Sequence, residues 1–425
     1  MQIHLKTLGC RLNEAEIESW ANKFEEKGHQ LTSDPKSADL LVVNTCAVTQ
    51  EAVKKSRQIL RRTHRDNPMA KLVVSGCYPT LEKKNINEIS GIDLIIDNSE
   101  KDKLVDISLR ELNLQAMPSL STEPGLSSLF KRGRNRAFIK IQDGCRHRCT
   151  FCIVTIARGN ERSRKIDSIT DEINRYHQQG VHEVVLTGVH VGGYGSDINF
   201  SLHQLIEKIL SETTIPRIRL ASVEPWDLNE KFFSLFRNKR LMPHMHLPLQ
   251  SGCNSVLKRM ARRCKTNDFK EIINKARTQI KNFNITTDII VGFPGETNGE
   301  WQKSLEFIKE IGFSHIHIFT YSKREGTKAS NFDNQVENLV KKERSKELHK
   351  LTEKMRKEIL NNEIGNEYSV LWETKDKNNN WCGYTDNYLK VELKNNHGNL
   401  ENKITKIKII DLSEDSNHCI AEHIK

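Results

Sequence analysis

No stretch of the 425-residue sequence is long and apolar enough to span a membrane, and the opening MQIHLKTLGCRLNEAEIE lacks the apolar segment of a signal peptide. Both absences predict a cytoplasmic protein that has no membrane partner. Thiols stay reduced in the cytosol, so the ten cysteines indicate metal binding or catalysis rather than disulfide bonds.

The sequence also lacks an excess of acidic residues. Lys and Arg number 66 against 55 Asp and Glu, which gives a net charge of +11. Eleven of the basic residues lie between Lys131 and Lys165, opposed only by Asp143 and Glu161. A second basic run, KKSRQILRRTHR, occupies residues 54–65. Both runs suit the phosphates of a nucleic acid, although a solvated surface would also explain each of them.

Short apolar runs alternate with helical stretches along most of the chain, and this rhythm predicts an α/β fold. Residues 1–114 read as an N-terminal parallel βα domain, and residues 115–130, which carry Pro, Gly and Ser without periodicity, read as a linker. Residues 131–362 contain six strand-like runs and predict a partial βα barrel. Residues 363–425 turn to short alternating runs and predict a small all-β barrel.

A three-cysteine loop, GCRHRCTFC at residues 144–152, follows the first strand of the predicted barrel. Its cysteines, Cys145, Cys149 and Cys152, are spaced C-x3-C-x2-C, and active sites of βα barrels are built from the loops that leave the strands. One interpretation is a structural zinc site, but such sites favour two separate cysteine pairs. The other is a 4Fe–4S cluster that is held by three thiolates and keeps one iron open for a small molecule.

Three more cysteines come directly after strands of the first domain, in TLGC, VVNTC and VVSGC. Because the carboxyl ends of parallel strands meet at one edge of a sheet, Cys10, Cys46 and Cys77 are expected to converge there. The alternative is that they are small buried apolar residues, as free cysteines often are. Three equivalent positions favour a second cluster with an open iron.

The loop resembles the signature of the radical S-adenosylmethionine enzymes, which place an aromatic residue, here Phe151, before the last cysteine. That resemblance implies a partial six-stranded barrel whose open iron binds S-adenosylmethionine and whose chemistry yields a 5′-deoxyadenosyl radical. Further strand-end segments resemble the family's cofactor-binding pieces: LTGVH (186–190), LASVEP (220–225), HLPLQSG (246–252) and DIIVGFPGE (288–296). The cofactor-binding residues that this implies are Phe151, Thr187, Gly188, Ser222, Glu224 and Gln250.

Two three-cysteine sites followed by a small β domain resemble the methylthiotransferases within that superfamily. The last domain resembles their TRAM domain, most clearly in GYTDNYLKVEL (383–393). The opening TLGCRLNEAE and the stretch QDGCRHRCTFCIVTIARGNERSR (142–164) resemble the branch that acts on N6-threonylcarbamoyladenosine of tRNA. The resemblance implies two 4Fe–4S clusters, two S-adenosylmethionine molecules, a tRNA partner, and a reductant such as flavodoxin or ferredoxin.

Three alternatives remain open at the level of sequence. Two share the chemistry: a methylthiotransferase for isopentenyladenosine in tRNA, whose branch reads more like TFGCQMN, and one for a ribosomal protein side chain, whose branch reads more like LGCPKN. The third belongs to another class, a zinc-dependent RNA-binding protein without catalysis. The general chemistry favours a radical enzyme, because replacing an unactivated aromatic C–H bond by C–S offers neither an acidic proton nor a leaving group.

Overall fold

A parallel sheet of five strands forms the first domain of the computed structural model, which describes residues 1–114, 135–394 and 398–424. Its strands are β1 (Gln2–Thr7), β2 (Gln30–Leu31), β3 (Leu40–Thr45), β4 (Lys71–Gly76) and β5 (Leu94–Ile96), in the order β2-β1-β3-β4-β5. The central strand β3 is buried along its whole length, which explains its continuous apolar run LLVV. The predicted parallel βα domain is therefore confirmed.

Helices cover both faces of this sheet: α1 (Arg11–Glu26), α2 (Gln50–Asp66), α3 (Cys77–Leu81), α4 (Lys83–Ile86) and α5 (Leu104–Glu111). On one face Trp20 and Phe24 of α1 pack with Val42 of β3. On the other face Leu60 of α2 packs with Val43. Since α1 and α3 begin at the ends of β1 and β4, their first residues stand at the carboxyl edge of the sheet.

The second domain contains six parallel strands in two groups of three, ordered β10-β9-β6 and β11-β12-β13. They are β6 (Arg136–Lys140), β9 (Glu183–Thr187), β10 (Arg217–Leu220), β11 (His244–His246), β12 (Asn284–Val291) and β13 (His315–Thr320). Isolated bridges join Ile218 to Leu241 and Ser222 to His246, so the two groups continue into one curved sheet. A short antiparallel pair, β7 (Gln142–Asp143) and β8 (Arg162–Ser163), follows the first strand. The predicted partial six-stranded barrel is confirmed.

Eight described helices accompany the barrel: α6 (Val154–Arg158), α7 (Ile166–Gln178), α8 (Leu202–Glu212), α9 (Glu230–Ser234), α10 (Asn254–Arg259), α11 (Thr266–Gln279), α12 (Asn298–Ile311) and α13 (Asn338–Asn361). Alternate strand residues divide between the two faces of the sheet. Ile285 and Ile289 of β12 join the apolar layer under the helices, whereas Thr286 and Asp288 between them belong to the opposite, lumenal face.

A closed barrel of five strands forms the last domain: β14 (Glu367–Lys375), β15 (Trp381–Thr385), β16 (Lys390–Leu393), β17 (Ile404–Leu412) and β18 (Cys419–His423). Trp372, Val391 and Ile407 lie in its core. It closes the amino-terminal end of the larger barrel, where Arg217 donates to the Ser369 carbonyl oxygen at 2.7 Å. The predicted small all-β domain is confirmed.

The predicted linker, 115–130, lies outside the described residues, as do Lys131, Arg132 and Arg134 of the first basic run. Within the described part of the chain, no helix combines the length and the apolar content that crossing a membrane requires.

Candidate metal centres and cofactor site

Backbone contacts hold the three-cysteine loop in place. The Cys145 N–H donates to the Gly159 carbonyl oxygen at 3.0 Å. Gly144 has a φ of +73°, and a Cβ there would lie 1.8 Å from the Asn160 carbonyl oxygen. Only glycine fits such a turn, so residue 144 determines where the first thiol of the loop emerges.

The thiols of this loop influence one another. Burial raises the pKa of Cys145 to about 11 and that of Cys152 to about 12, and the neighbouring Cys149 raises both. Thiolates gathered in this way repel, so the deprotonated form that binds metal requires a cation among the three sulfurs. The donor set fits a 4Fe–4S cluster with one open iron.

A buried ion pair lies beside Cys149. Arg262 donates to both carboxylate oxygens of Glu224, at 3.0 and 2.6 Å, and its Nη1 lies 3.9 Å from the Cys149 Sγ. Its guanidinium also lies 4.5 Å from the ring centroid of Trp226. Burial would lower the pKa of Arg262, but Glu224 raises it, so this cation persists and favours the Cys149 thiolate. Sequence reasoning missed Arg262, because nothing in the local pattern links it to the cysteine loop.

A chain of hydrogen-bonded polar side chains contacts the other side of the cysteine loop. His190 contacts the Glu161 carboxylate through Nδ1 at 2.6 Å and the Asp227 carboxylate through Nε2 at 2.7 Å. Its Nε2 also lies 3.2 Å from the Nε2 of His147, inside the cysteine loop. Burial would lower the pKa of His190, but its bonds to Asp227 and Glu161 raise it. The sequence predicts no separate role for His190, although its position shortly after β9 is a signal for one.

Burial lowers the pKa of His147 to about 4, and the adjacent His190 contributes. His147 is therefore neutral near pH 7 and does not place a second positive charge beside His190. The loop is tied from its other end too, since the Thr155 hydroxyl donates to the His147 carbonyl oxygen at 3.0 Å. These bonds hold the loop that carries the three thiols.

The residues predicted to bind S-adenosylmethionine lie at the ends of the barrel strands or in the cysteine loop. They are Phe151, Thr187, Gly188, Ser222, Glu224 and Gln250. Gln142 ties two of these regions together, since its Oε1 accepts from the N–H groups of Val189 and His190 at 3.1 and 2.9 Å. A Cβ on Gly188 would lie 3.0 Å from the Gln142 carbonyl oxygen.

Two others stand at strand ends with unusual backbone contacts. Gln250 has a φ of +72° and pairs with β12, where its N–H donates to the Asp288 carbonyl oxygen at 2.8 Å. Ser222 bridges to His246 across the seam between the two strand groups. These contacts place the residues around one rim, while their binding of the cofactor stays a prediction.

The second trio of cysteines lies at the carboxyl edge of the first sheet. Cys10, Cys46 and Cys77 follow β1, β3 and β4, which are neighbours in the sheet order. Burial raises the pKa of Cys46 to about 11, and the charges of Cys77 and Cys10 add to the effect. Gly9 has a φ of +124°, and a Cβ there would lie 3.2 Å from the Cys46 Sγ. Three mutually influencing thiols again fit a 4Fe–4S cluster with an open iron.

Arg158 connects the two trios. It ends α6, the helix that follows Cys152, yet its Nη2 donates to Asn13 of the first domain at 2.7 Å. Burial would lower the pKa of Arg158, but Glu16 raises it most, and the charges of Cys77, Asp143 and Cys10 add to the effect. Arg158 also donates to Asp143, two residues before Cys145, and Asn13 lies 3.7 Å from the Cys10 Sγ, so one guanidinium links the surroundings of both thiol sites at the domain boundary.

Comparisons with known proteins match both regions. Residues 2–97 match the family described as Uncharacterized protein family UPF0004, and residues 139–308 match the Radical SAM superfamily. Among solved structures, a radical S-adenosylmethionine methyltransferase, TsrM, from Kitasatospora setae is similar with a TM-score of 0.56 and 15% identity, covering 75% of this chain and 74% of that one. At this identity the likeness supports the fold alone.

Curated relatives match nearly the whole chain. The threonylcarbamoyladenosine tRNA methylthiotransferase MtaB of Bacillus subtilis (strain 168) is 34% identical over 423 residues, covering 95% of this chain and 92% of the relative. The MtaB protein of Thermotoga maritima is 35% identical, covering 97% and 95%. A tRNA-2-methylthio-N(6)-dimethylallyladenosine synthase of Staphylococcus haemolyticus is 32% identical, covering 92% and 79%. This protein belongs to the methylthiotransferase family of radical S-adenosylmethionine enzymes.

Proposed function

We propose that this protein transfers a methylthio group to C2 of N6-threonylcarbamoyladenosine, next to the anticodon of tRNA. The observation that carries the proposal is the pair of three-thiol sites at the ends of two parallel sheets, linked through the contacts of Arg158 with Asp143 and Asn13. The MtaB relatives, which match at 34–36% identity, support the choice of nucleoside over isopentenyladenosine.

Cys145, Cys149 and Cys152 hold the cluster that binds S-adenosylmethionine in this proposal. When bound, the cluster supplies an electron that cleaves the sulfonium of the cofactor. Arg262 keeps a positive charge 3.9 Å from the Cys149 Sγ, and the contacts of His147 and His190 fix the loop. Phe151, Thr187, Gly188, Ser222, Glu224 and Gln250 line the cofactor's position at the rim.

Cys10, Cys46 and Cys77 would hold the auxiliary cluster, which would supply a sulfur for methylation by one S-adenosylmethionine. A second molecule of the cofactor serves as the radical source. Arg158 places a cation beside these thiols and thereby favours their deprotonated, metal-binding form. Dividing the two tasks between two thiol sites keeps methylation and radical formation apart.

The tRNA contacts of the proposal lie on basic surfaces. Residues 54–65 form most of α2, on which Lys54, Lys55, Arg61, Arg62 and Arg65 are exposed. The target base has to leave its loop to reach the strand ends, as single-stranded bases do when they are modified. A reductant such as flavodoxin or ferredoxin, cytoplasmic like the tRNA, would serve both clusters.

Mass spectrometry of tRNA nucleosides, with and without the gene, tests this function. We expect the 2-methylthio mark to disappear from threonylcarbamoyladenosine and to return with the intact gene. Loss of the mark from isopentenyladenosine, or an unmodified ribosomal protein with intact tRNA marks, would assign the protein to one of the other branches.

Metal analysis of anaerobically purified protein tests the chemistry independently. Two 4Fe–4S clusters predict about eight irons per chain with matching sulfide. One or two zinc ions without iron would instead identify a non-catalytic RNA-binding protein.

A further inference from the structure

The floor of the large barrel carries an aromatic ring surrounded by arginines. Tyr388, from the last domain, stacks on Tyr384 with 4.8 Å between ring centroids. The guanidiniums of Arg219 and Arg136 lie 4.7 and 5.5 Å from the centroid of the Tyr388 ring. Arg11 approaches the same tyrosine from the first domain, with its Nη2 3.4 Å from the hydroxyl and its Cζ 5.9 Å from the centroid.

These arginines differ in their partners. Arg219 donates to Glu183 at 2.9 Å, and Arg136 contacts Glu373 at 2.6 Å. Arg11 has no Asp or Glu oxygen within 4.0 Å in the part of the chain that the structure describes. Arg11 is half-buried, and its one hydrogen-bond partner among the described residues is the Tyr388 hydroxyl, so its guanidinium retains the capacity to bind an anion.

The lumenal wall near Arg11 is polar. His246 contacts the Asp288 carboxylate at 3.1 Å, and the rings of His246 and His317 lie 5.5 Å apart. Burial lowers the pKa of His317, and the positive charge of Arg11 lowers it as well, against the effect of Asp288. Two histidines and a carboxylate therefore lie on this wall, and the charge of Arg11 acts on one of them, His317.

We propose that Arg11 binds the carboxylate of the threonylcarbamoyl group and so selects this nucleoside. The proposal rests on the function proposed above. The threonine-derived substituent ends in a carboxylate, and a guanidinium recognises a carboxylate through two parallel charge-assisted hydrogen bonds. An isopentenyl group offers no charge and would leave the guanidinium without a partner.

The position of Arg11 in the chain suits this role. It directly follows Cys10, one of the thiols proposed to hold the auxiliary cluster, and consecutive Cα atoms are about 3.8 Å apart. The sulfur donor and the proposed carboxylate ligand are therefore presented from one point of the backbone. A purine whose C2 points at the auxiliary cluster can extend its N6 substituent toward the Arg11 guanidinium. The contact of Arg11 with the carboxylate would then both select the nucleoside and orient its C2.

The test compares two tRNAs, one that carries threonylcarbamoyladenosine and one that carries the methyl ester of its carboxylate. The kcat/KM of methylthio transfer to each tRNA is measured with the cluster-loaded enzyme. For the wild type we expect kcat/KM to fall about 30-fold on the ester, in the range of a lost charged hydrogen bond. In Arg11→Gln the kcat/KM for the acid should be about 30-fold below the wild-type value, mainly because KM rises. The ester should be modified by this variant as well as the acid is. Arg11→Lys keeps the charge but lacks the planar guanidinium, so its kcat/KM for the acid should lie between those of the wild type and Arg11→Gln.

The controls separate recognition from structure. Arg237→Gln removes an exposed arginine and should keep the wild-type preference for the acid. Iron content near the wild-type value shows that the site at Cys10 stays loaded in each Arg11 variant. If Arg11→Gln loses iron, the comparison of the wild type with Arg11→Lys still tests the proposal. The ratio of kcat/KM for acid to kcat/KM for ester should be smaller in Arg11→Lys than in the wild type.

Two results would overturn the inference in distinguishable ways. If the wild type modifies acid and ester equally well, or if the ester penalty is as large in Arg11→Gln as in the wild type, Arg11 only supports Tyr388 and the carboxylate is read elsewhere. If the wild type modifies isopentenyladenosine tRNA and neither of the two test tRNAs, the proposed function fails as well.

Discussion

Arg158 of the barrel domain donates to the carboxylate of Glu16 in the first domain at 2.9 Å, with both side chains almost completely buried. The same carboxylate contacts Lys101 at 2.5 Å, and Arg158 also contacts Asp143 at 3.1 Å. Two cations and two carboxylates therefore close a buried network between the proposed cluster sites. Removing one member leaves the others charged and without water, so the network makes the domain boundary sensitive to single changes.

Arg158→Met should destabilise the protein by about 3–5 kcal/mol, because it leaves buried carboxylates short of a partner. Chemical unfolding followed by fluorescence measures the difference. Arg175→Met is the matched control, since Arg175 contacts Glu26 of α1 across the same two domains at 3.1 Å, but with both side chains about half exposed. An exposed pair contributes at most about 1 kcal/mol. Equal effects of the two variants would contradict the role of the network.

The same network predicts an acid-sensitive stability. Burial alone would raise the pKa of Glu16, but Arg158 and Lys101 lower it from 4.5 to about 2, and the pKa of Asp143 is lowered as well. A depressed carboxyl pKa contributes stability above its unfolded value that is lost as the pH falls toward the folded value. The contribution of Glu16, on the order of 3 kcal/mol, should therefore disappear between about pH 4.5 and 2.

Unfolding free energies of cluster-free protein, measured from pH 6 down to 3, check this window. The difference between the wild type and Arg158→Met should shrink as the pH falls, because protonated carboxyls no longer need the guanidinium. A difference that stays constant with pH would argue against the charges as its source.

The two thiol sites should separate by function. Cys149→Ala should abolish 5′-deoxyadenosine release, whereas Cys46→Ala should retain it and lose methylthio transfer. Each variant should bind about half of the wild-type iron. Liquid chromatography of the small products, together with iron analysis, measures both quantities. Equal loss of 5′-deoxyadenosine in the two variants would contradict this division.

Gly9→Ala should damage the auxiliary site selectively. Its Cβ would lie 2.9 Å from the Cys46 Cβ at a φ of +124°, so Cys46 or the turn has to move. We expect about half of the iron to be lost while 5′-deoxyadenosine release persists. Gly299→Ala, in α12 with no atom within 4 Å of the added Cβ, should retain all iron and be neutral or stabilising by up to about 1 kcal/mol.

The basic face of α2 should contribute to tRNA affinity. Lys55 pairs with Glu51, and Arg62 with Asp66, whereas Lys54 and Arg61 are exposed and have no carboxylate partner among the described residues. Replacing these last two by Ala should weaken binding and reduce the slope of log K against log salt by about 0.7–0.9 for each phosphate that the variant no longer neutralises. As a control, replacing two exposed lysines of α13, Lys342 and Lys346, should change neither the tRNA affinity nor its salt dependence.

Local sequence was sufficient for most of the fold. Runs such as LLVV are buried on both faces, so apolar continuity indicates a central strand, and the short run ITKIKIIDL of the last domain forms β17. The strand β15, WCGYT, carries a weaker signal, because a glycine and a cysteine interrupt its alternation. The site at the edge of the first sheet was predictable because Cys46 and Cys77 directly follow β3 and β4, and Cys10 lies in the turn after β1.

Contacts between distant residues were not predictable in this way. Arg158 and Asn13 are 145 positions apart, and Arg11 and Tyr388 are 377 positions apart. Neither pair leaves a periodic trace in the sequence, since each depends on how two domains meet. His190 shows the same limit, because its partners Glu161 and Asp227 come from two separate loops.

The last domain gives the large barrel the form of a cup rather than a tube. Tyr388 and the arginines around it occupy the bottom, where Arg219 also donates to the Asp386 carbonyl oxygen at 3.1 Å. Because that end is covered, we expect spent cofactor and incoming nucleotide to pass through the opposite end, where the barrel strands finish.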